Sequence, residues 1–374
     1  MSPMNPIHPM HPMRTISPKA LIMAGGTGGH IFPGLALAKA LGQGGWQVDW
    51  LGTPAPSMES ELVPQAGVAF HTVSFKGVRA KGWRTQILLP FRLAQAVLQS
   101  IGVIRQLRPQ VVIGFGGYVT APGGVASWLC GKPLVLHEQN AVAGMANRLL
   151  ALLTSRVYCA FPKALAKGEW IGNPLREAFH TQASPQVRYD AFSGPLRVLV
   201  VGGSLGAQAL NELVPAALAL MPACERPLLT HQSGAKQIEA LKARYTALGL
   251  AGQVSVTAFI DDMAAEMARA DLIISRAGAS TITEIAAVGV ASLLVPFPHA
   301  VDDHQTRNAQ FLVDSGAAWL IQQDVLTPDR LAQLLSELTR ASLAAMAQKA
   351  HAQRQMQAVQ TLTQACEHLV QRSA

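Results

Sequence analysis

The 374-residue chain is poor in charge, in aromatics and in cysteine. Only 14% of its residues are Asp, Glu, Lys or Arg and 6% are Phe, Trp or Tyr, whereas 49% are hydrophobic. That balance argues against a disordered or fibrous chain and suits large aliphatic cores. Four cysteines (Cys130, Cys159, Cys224, Cys366) are scattered with no CxxC pair, which argues against a disulfide framework or zinc site and fits a reducing cytosol. Every apolar run is interrupted by Gly, Arg or Gln before it reaches the roughly 20 residues of a spanning helix. Residues 1–18, rich in Pro, Met and His, read as a flexible tail rather than a secretory leader. No GKS or GKT follows a glycine loop, which excludes a Walker A site. No DxD occurs, so a metal held by paired aspartates is not expected.

Acidic residues are the scarcer sign, leaving a net charge of +8. Nucleic acid, an anionic membrane surface or a phosphate-bearing substrate would each match it. No zinc finger, helix-turn-helix or stacking motif accompanies the charge, so nucleic acid is the weakest of the three.

What is present is a strand, glycine loop and helix signature that occurs twice. An apolar run at 20–24 enters Gly25-Gly26-Thr27-Gly28-Gly29-His30 and an apolar segment at 35–41. A second run at 196–201 enters Gly202-Gly203-Ser204-Leu205-Gly206 and a segment at 209–220. Unpaired N–H groups and the dipole at a helix start both favour negative charge, so each loop is a candidate anion site. The chain is too long for one ordinary core and comfortable for two of about 180 residues. These features predict an α/β fold with two Rossmann-like domains facing across a cleft. Every crossover reads as a helix, which makes both sheets mostly parallel. The expected organisation is a tail at 1–18, an N-terminal domain at 19–170 and a linker at 171–195 with Gly172-Asn173-Pro174 and Ser193-Gly194-Pro195. A C-terminal domain at 196–340 follows, and helices at 341–374 return to the first domain.

The loops make a poor dinucleotide site. Gly26-Thr27-Gly28 begins like GxGxxG, but Ile31 holds the sixth position and the second loop has no GxG. His30, at the first helix start, can act as a general base near neutral pH or as a cap that orders the loop. In Ser275-Arg276-Ala277-Gly278-Ala279-Ser280-Thr281-Ile282-Thr283-Glu284, small residues let a diphosphate approach a helix N-terminus, and hydroxyls at 280, 281 and 283 can donate to it. Glu284 can accept from a ribose diol or serve as an ordinary first-turn carboxylate. Gln305 can bind a sugar hydroxyl or be a solvated loop residue, and Asp261 reads as a helix cap. Arg176 is a candidate to stabilise a leaving diphosphate. Trp83, Ile87, Leu88 and Phe91, rimmed by Lys81, Arg84 and Arg92, form either an interfacial membrane patch or a core-facing stripe with solvated cations.

Several segments carry a resemblance in order along 19–370: GGTGGHIFPG from Gly25, GFGGYV from Gly114, HEQN from His137, GNP from Gly172, GGS from Gly202, FIDDM from Phe259, SRAG from Ser275 and DHQ from Asp303. Together they resemble the MurG family, the peptidoglycan N-acetylglucosaminyltransferases acting on lipid I. The resemblance implies a GT-B fold and inverting transfer of GlcNAc from UDP-GlcNAc to the C4 hydroxyl of MurNAc in undecaprenyl-pyrophosphoryl-MurNAc-pentapeptide. It implies no cofactor, and a peripheral location on the cytoplasmic face of the inner membrane. The N-terminal domain would then face acceptor and anionic membrane, and the C-terminal domain would bind the donor. By position, Thr27, Gly28 and Gly29 match the loop at the donor–acceptor cleft. Asn140, Arg176, Ser204, Ile260, the run Ala279, Ser280, Thr281, Ile282, Thr283 and Glu284, and Gln305 match donor-contacting positions. His30 matches the family's candidate base. The nearest alternatives are a GT-B enzyme acting on another lipid, an acceptor-independent UDP-GlcNAc epimerase, and a non-catalytic membrane scaffold.

Overall fold

Helices cover both faces of each sheet, which is why the strands read as continuous apolar runs rather than alternating ones. The computed structural model describes residues 17–75, 88–203 and 206–372. Lys81, Trp83, Arg84 and Ile87 of the expected patch, Ser204 of the second glycine loop, and 1–16 of the tail lie outside the described residues.

Among the described residues, β1 (Lys19–Met23), β2 (Gln47–Gly52), β3 (Ala69–Thr72), β4 (Val111–Gly114), β5 (Leu134–Glu138), β6 (Arg156–Cys159) and β7 (Glu169–Trp170) form one sheet in the order β3-β2-β1-β4-β5-β6-β7. A second sheet holds β8 (Arg197–Val201), β9 (Leu228–Gln232), β10 (Val254–Thr257), β11 (Leu272–Ser275), β12 (Ala291–Leu294) and β13 (Ala318–Leu320) in the order β10-β9-β8-β11-β12-β13. All described pairings are parallel; Ala20, for instance, lies opposite both Val48 and Val111. The strand order reverses at β1/β4 and at β8/β11. In such sheets a crevice opens at the carboxyl ends of the strands on either side of that switch. Both glycine loops lie there, one after β1 and one after β8.

Two expectations about chain organisation differ from the structure. Of the helices in 341–374, Arg340–Ala352 stays on the second lobe, where Leu343 and Ala347 pack with Val198 and Leu293. Its start is anchored by Arg340, which donates Nε and Nη2 to the buried Asp271 carboxylate at 3.0 and 3.2 Å. Only Ala358–Gln371 crosses over, and there Leu362 and Cys366 join Leu37, Leu41 and Trp50 in the first-lobe core. The segment read as a linker, 171–195, is packed on both lobes: Ile171 joins the first-lobe core, and the later part docks on the second lobe. Arg188 donates to the carbonyls of Ala268, Val288 and Gly289, and the Tyr189 hydroxyl donates to Asp271 O at 2.6 Å.

Candidate active site

The first wall of the crevice is made of backbone packed on backbone. Gly117 has a φ of +83°, and a Cβ there would collide with the carbonyl of Gly25. Gly25 itself would place a Cβ 2.6 Å from Glu59 Oε1. Only glycine lets these two loops nest. Glu59 is buried and accepts from the N–H groups of Gly26 and Thr53, both at 3.2 Å, which shapes the loop from beneath.

His30 is the third residue of helix Gly28–Gln43, whose N-cap is Thr27. Its ring lies 3.3 Å (Nδ1) from Oγ1 of that N-cap residue, which orders the loop, and flanks Gly116, where a Cβ would come within 2.9 Å of Cδ2. Burial pushes its pKa below the ordinary histidine value, against the opposing pull of Glu138 and a hydrogen bond to the Gly25 backbone; His304 across the crevice adds to the lowering. A neutral imidazole at the crevice can accept a proton.

The end of β5 supplies the next wall. Glu138 is buried and accepts from Asn140 N (2.9 Å), Gly144 N (3.1 Å) and Asn147 Nδ2 (2.9 Å), which satisfies the carboxylate without a basic partner. The neighbouring His137 is fully buried between Gly172 O, 2.9 Å from Nε2, and the Gln139 amide, 2.9 Å from Nδ1. The carbonyl can only accept and the amide NH2 donates, so Nε2 carries the proton and Nδ1 is the acceptor. Burial lowers this histidine to about 4.

The second lobe presents helix Ala279–Val288. Its N-cap is Gly278, which has no side chain to cap the first-turn N–H groups. Ser280 Oγ is buried with no hydrogen-bond partner, and it faces the first lobe: a Cβ at Gly29 would lie 4.0 Å from it. Helix start and His30 loop thus meet across the crevice. Two residues of the run turn elsewhere. Ile282 is fully buried in the core and its N–H bonds Gly278 O. Thr283 donates back to Ala279 O and Ser280 O and lies 3.5 Å from the Asn173 amide, so its hydroxyl is used within the fold rather than toward the helix start. Ala279 is buried; Thr281 and Glu284 are partly exposed.

Glu284 is 17% exposed and lies 3.9 Å from Arg176, whose guanidinium also sits over the rings of Phe179 and Phe32. Burial pushes the carboxyl up to about 7, and Arg176 only partly offsets it. Gln305 is not in a solvated loop. It is the second residue of helix His304–Val313, and its Oε1 accepts from Ala277 N (3.2 Å) and Phe297 N (2.9 Å), leaving the NH2 as its free end. Ile260 is buried beside the exposed Phe259. Asp262, not Asp261, caps the next helix, accepting from Ala265 N at 3.0 Å. Sequence reasoning also passed over Asn308. This buried residue hydrogen-bonds the first lobe at Asn140 and Ala141 and the second at Ala277. Its place one turn after Gln305 was the only signal for it.

Residues 20–159 match the glycosyltransferase family 28 N-terminal domain and residues 197–364 the family 28 C-terminal domain. A protein of Paracidovorax citrulli, named UDP-N-acetylglucosamine--N-acetylmuramyl-(pentapeptide) pyrophosphoryl-undecaprenol N-acetylglucosamine transferase, is 58% identical over 94% of this chain and 98% of its own. The crystal structure of Acinetobacter baumannii MurG superposes with a TM-score of 0.82 at 40% identity, covering 94% of this chain and 99% of that one. The chain belongs to the MurG family of glycosyltransferases. An Anabaena protein crystallised with UDP, at 17% identity and a TM-score of 0.61, shares the fold. The MurG-like segments starting at Gly25, Gly114, His137, Gly202 and Ser275 all lie at the carboxyl ends of strands at the crevice.

His137 should remain neutral and Nε2-protonated down to about pH 4, as histidine-selective 15N NMR would show. Because its folded pKa lies below the ordinary 6.5, its stabilising contribution is complete above pH 6.5 and is lost as pH falls toward 4. A titration of its ring shifts near pH 6.5 would contradict the buried network.

Proposed function

We propose that this chain moves GlcNAc from UDP-GlcNAc to the C4 hydroxyl of MurNAc in lipid I, with inversion, yielding lipid II for peptidoglycan synthesis. The observation that carries this reading is the meeting of the His30 loop with the uncapped start of Ala279–Val288. A base and an anion-stabilising helix end then flank one space, as displacement of a nucleoside diphosphate by an alcohol requires.

In the step, neutral His30 takes the proton of the C4 hydroxyl as that oxygen bonds the anomeric carbon. The bond from that carbon to the diphosphate oxygen breaks, and UDP leaves from the opposite face. The first-turn N–H groups after Gly278, Ser280 Oγ and Arg176 stabilise the leaving diphosphate. Thr27, Gly28 and Gly29 form the acceptor side of the space. The Gln305 NH2 donates to a hydroxyl of the GlcNAc, Ile260 lies against uracil, and Glu284 accepts from the ribose diol. Asn140 completes the donor site from the first lobe, with Ser204 from the second glycine loop.

Among the described residues no helix is long and apolar enough to cross a membrane. The first lobe nevertheless exposes Leu88 and Phe91 (74% accessible) with Arg92 at the start of helix Leu89–Leu107. Apolar side chains interleaved with cations suit the interface of an anionic bilayer. This supports a peripheral location on the cytoplasmic face of the inner membrane, where lipid I would be reached.

Labelled GlcNAc should pass from UDP-GlcNAc to lipid I and not to diacylglycerol; release of free sugar without acceptor would indicate an epimerase instead. In that assay His30→Ala should lower kcat by about 10²–10⁴-fold with little change in UDP affinity, and an unimpaired variant would remove His30 as base. Ribose hydroxyls favour the ionised Glu284, so UDP affinity should rise as pH increases toward 7 and beyond, by up to about tenfold per pH unit below 7. Calorimetry in two buffers should detect proton release on binding, and Glu284→Gln should flatten the dependence. Phe91→Ser with Leu88→Ser should weaken sedimentation with phosphatidylglycerol vesicles by about tenfold or more; undiminished binding would count against this face.

A further inference from the structure

Asn140 is a donor-site candidate, yet most of its side chain is already engaged. Its Nδ2 lies 3.4 Å from Glu138 Oε1 and its Oδ1 accepts from Asn308 Nδ2 at 3.2 Å. Asn308 comes from the other lobe, one turn beyond Gln305 on helix His304–Val313. It is fully buried. Its Oδ1 accepts from Ala141 N at 2.8 Å, and its Nδ2 donates also to Ala277 O at 3.2 Å.

The orientation of this amide is set by its neighbours. A backbone N–H must find an acceptor and a backbone carbonyl a donor, so Oδ1 faces Ala141 and Nδ2 faces Ala277 and Asn140. That in turn makes Asn140 the acceptor toward Asn308 and the donor toward Glu138. Donor-to-acceptor polarity therefore runs from the Ala141 N–H through Asn308 and Asn140 to the Glu138 carboxylate at the end of β5, while Asn308 Nδ2 also donates to Ala277 O after β11. Breaking a buried link leaves unpaired polar groups on both lobes.

We infer that Asn308 is a positioning residue that holds the first-lobe 138–141 loop against the donor-binding helices and thereby sets the orientation of Asn140 at the donor. It spans the lobes at the level of Ala277 and Gln305, which is bonded to the same Ala277. One side chain therefore fixes the register between the sugar end of the donor site and the wall beneath His30. The inference rests on the transfer reaction proposed above.

The test uses the full-length chain with UDP-GlcNAc and lipid I. Asn308→Asp keeps shape and the acceptor for Ala141 but replaces the donor to Asn140 and Ala277 by an oxygen. Asn308→Ala removes both functions. Each should lower kcat/KM for transfer by about ten- to a hundredfold, while UDP alone, held by the second lobe, binds within about threefold of wild type. In a double-mutant cycle, Asn308→Ala should cost much less in an Asn140→Ala background, because the two act through one link. Additive losses, an unimpaired Asn308→Asp enzyme, or UDP affinity falling in parallel with transfer would each overturn the positioning role. Should Asn308→Ala fail to fold, the isosteric Asp variant and its cycle with Asn140→Ala decide the matter. Wild-type transfer in the same assay reports on the proposed reaction independently.

Discussion

Close backbone approach at the carboxyl ends of the strands is the constraint on which the rest of the molecule depends. Gly117 rests on the Gly25 carbonyl and Gly206, with a φ of +76°, rests on the carbonyl of Ser233. Neither contact admits a Cβ. Because the loops nest this tightly, the helices that follow begin immediately at the crevice, and their unpaired N–H groups and dipoles point into it. Parallel strand order places both glycine loops beside a topological switch point, so two similar anion-friendly ends face one another.

Around that frame, buried acceptors without basic partners organise the loops. Glu138 is satisfied by backbone and amide N–H groups, and Glu59 performs the same service under Gly26. A carboxylate so bonded is rigid and carries its charge without a cation, and at Glu138 that charge raises the pKa of His30 against burial. Asp271 differs in kind: it pairs with Arg340 and Arg197 and ties the late helix to the second lobe. The polar atoms left without partners include Ser280 Oγ, Asn173 Oδ1 and Gln139 Oε1, which lie around the crevice. A site poised for a polar ligand keeps such valences open, at a cost that the surrounding packing sustains.

The basic balance of the chain belongs to its first half, where residues 1–170 hold 15 Lys or Arg against 5 Asp or Glu; folding decides which apolar side chains accompany it at the surface. Helix Leu89–Leu107 buries Ala96, Ser100 and Ile104 and turns Phe91 and Leu98 outward. The neighbouring helix Thr120–Leu129 adds Trp128 from a stretch that the sequence pattern had not marked as a surface. Exposed apolar side chains occur on both lobes, with Phe259, Phe297 and Val301 among those of the second.

The glycine-loop signatures, the apolar runs of β1 and β8 and the parallel character of both sheets were legible in the chain, because period and turn chemistry are local properties. So were His30, Glu284 and the helix start after Gly278, each at a fixed offset from a strand end. The short edge strands β7 and β13 were not, since two or three residues carry no period. Nor could local pattern decide that Arg340–Ala352 stays on the second lobe, that Gln305 spends its carbonyl on Ala277 and Phe297, or that Ile282 and Thr283 turn inward. Asn308 is the clearest case: its partners lie 167 and 168 positions away, and only the folded lobes bring a buried amide to both. Sequence determines what each strand end can bind; the tertiary structure decides which polar groups are consumed in holding the two ends together and which remain for the substrate.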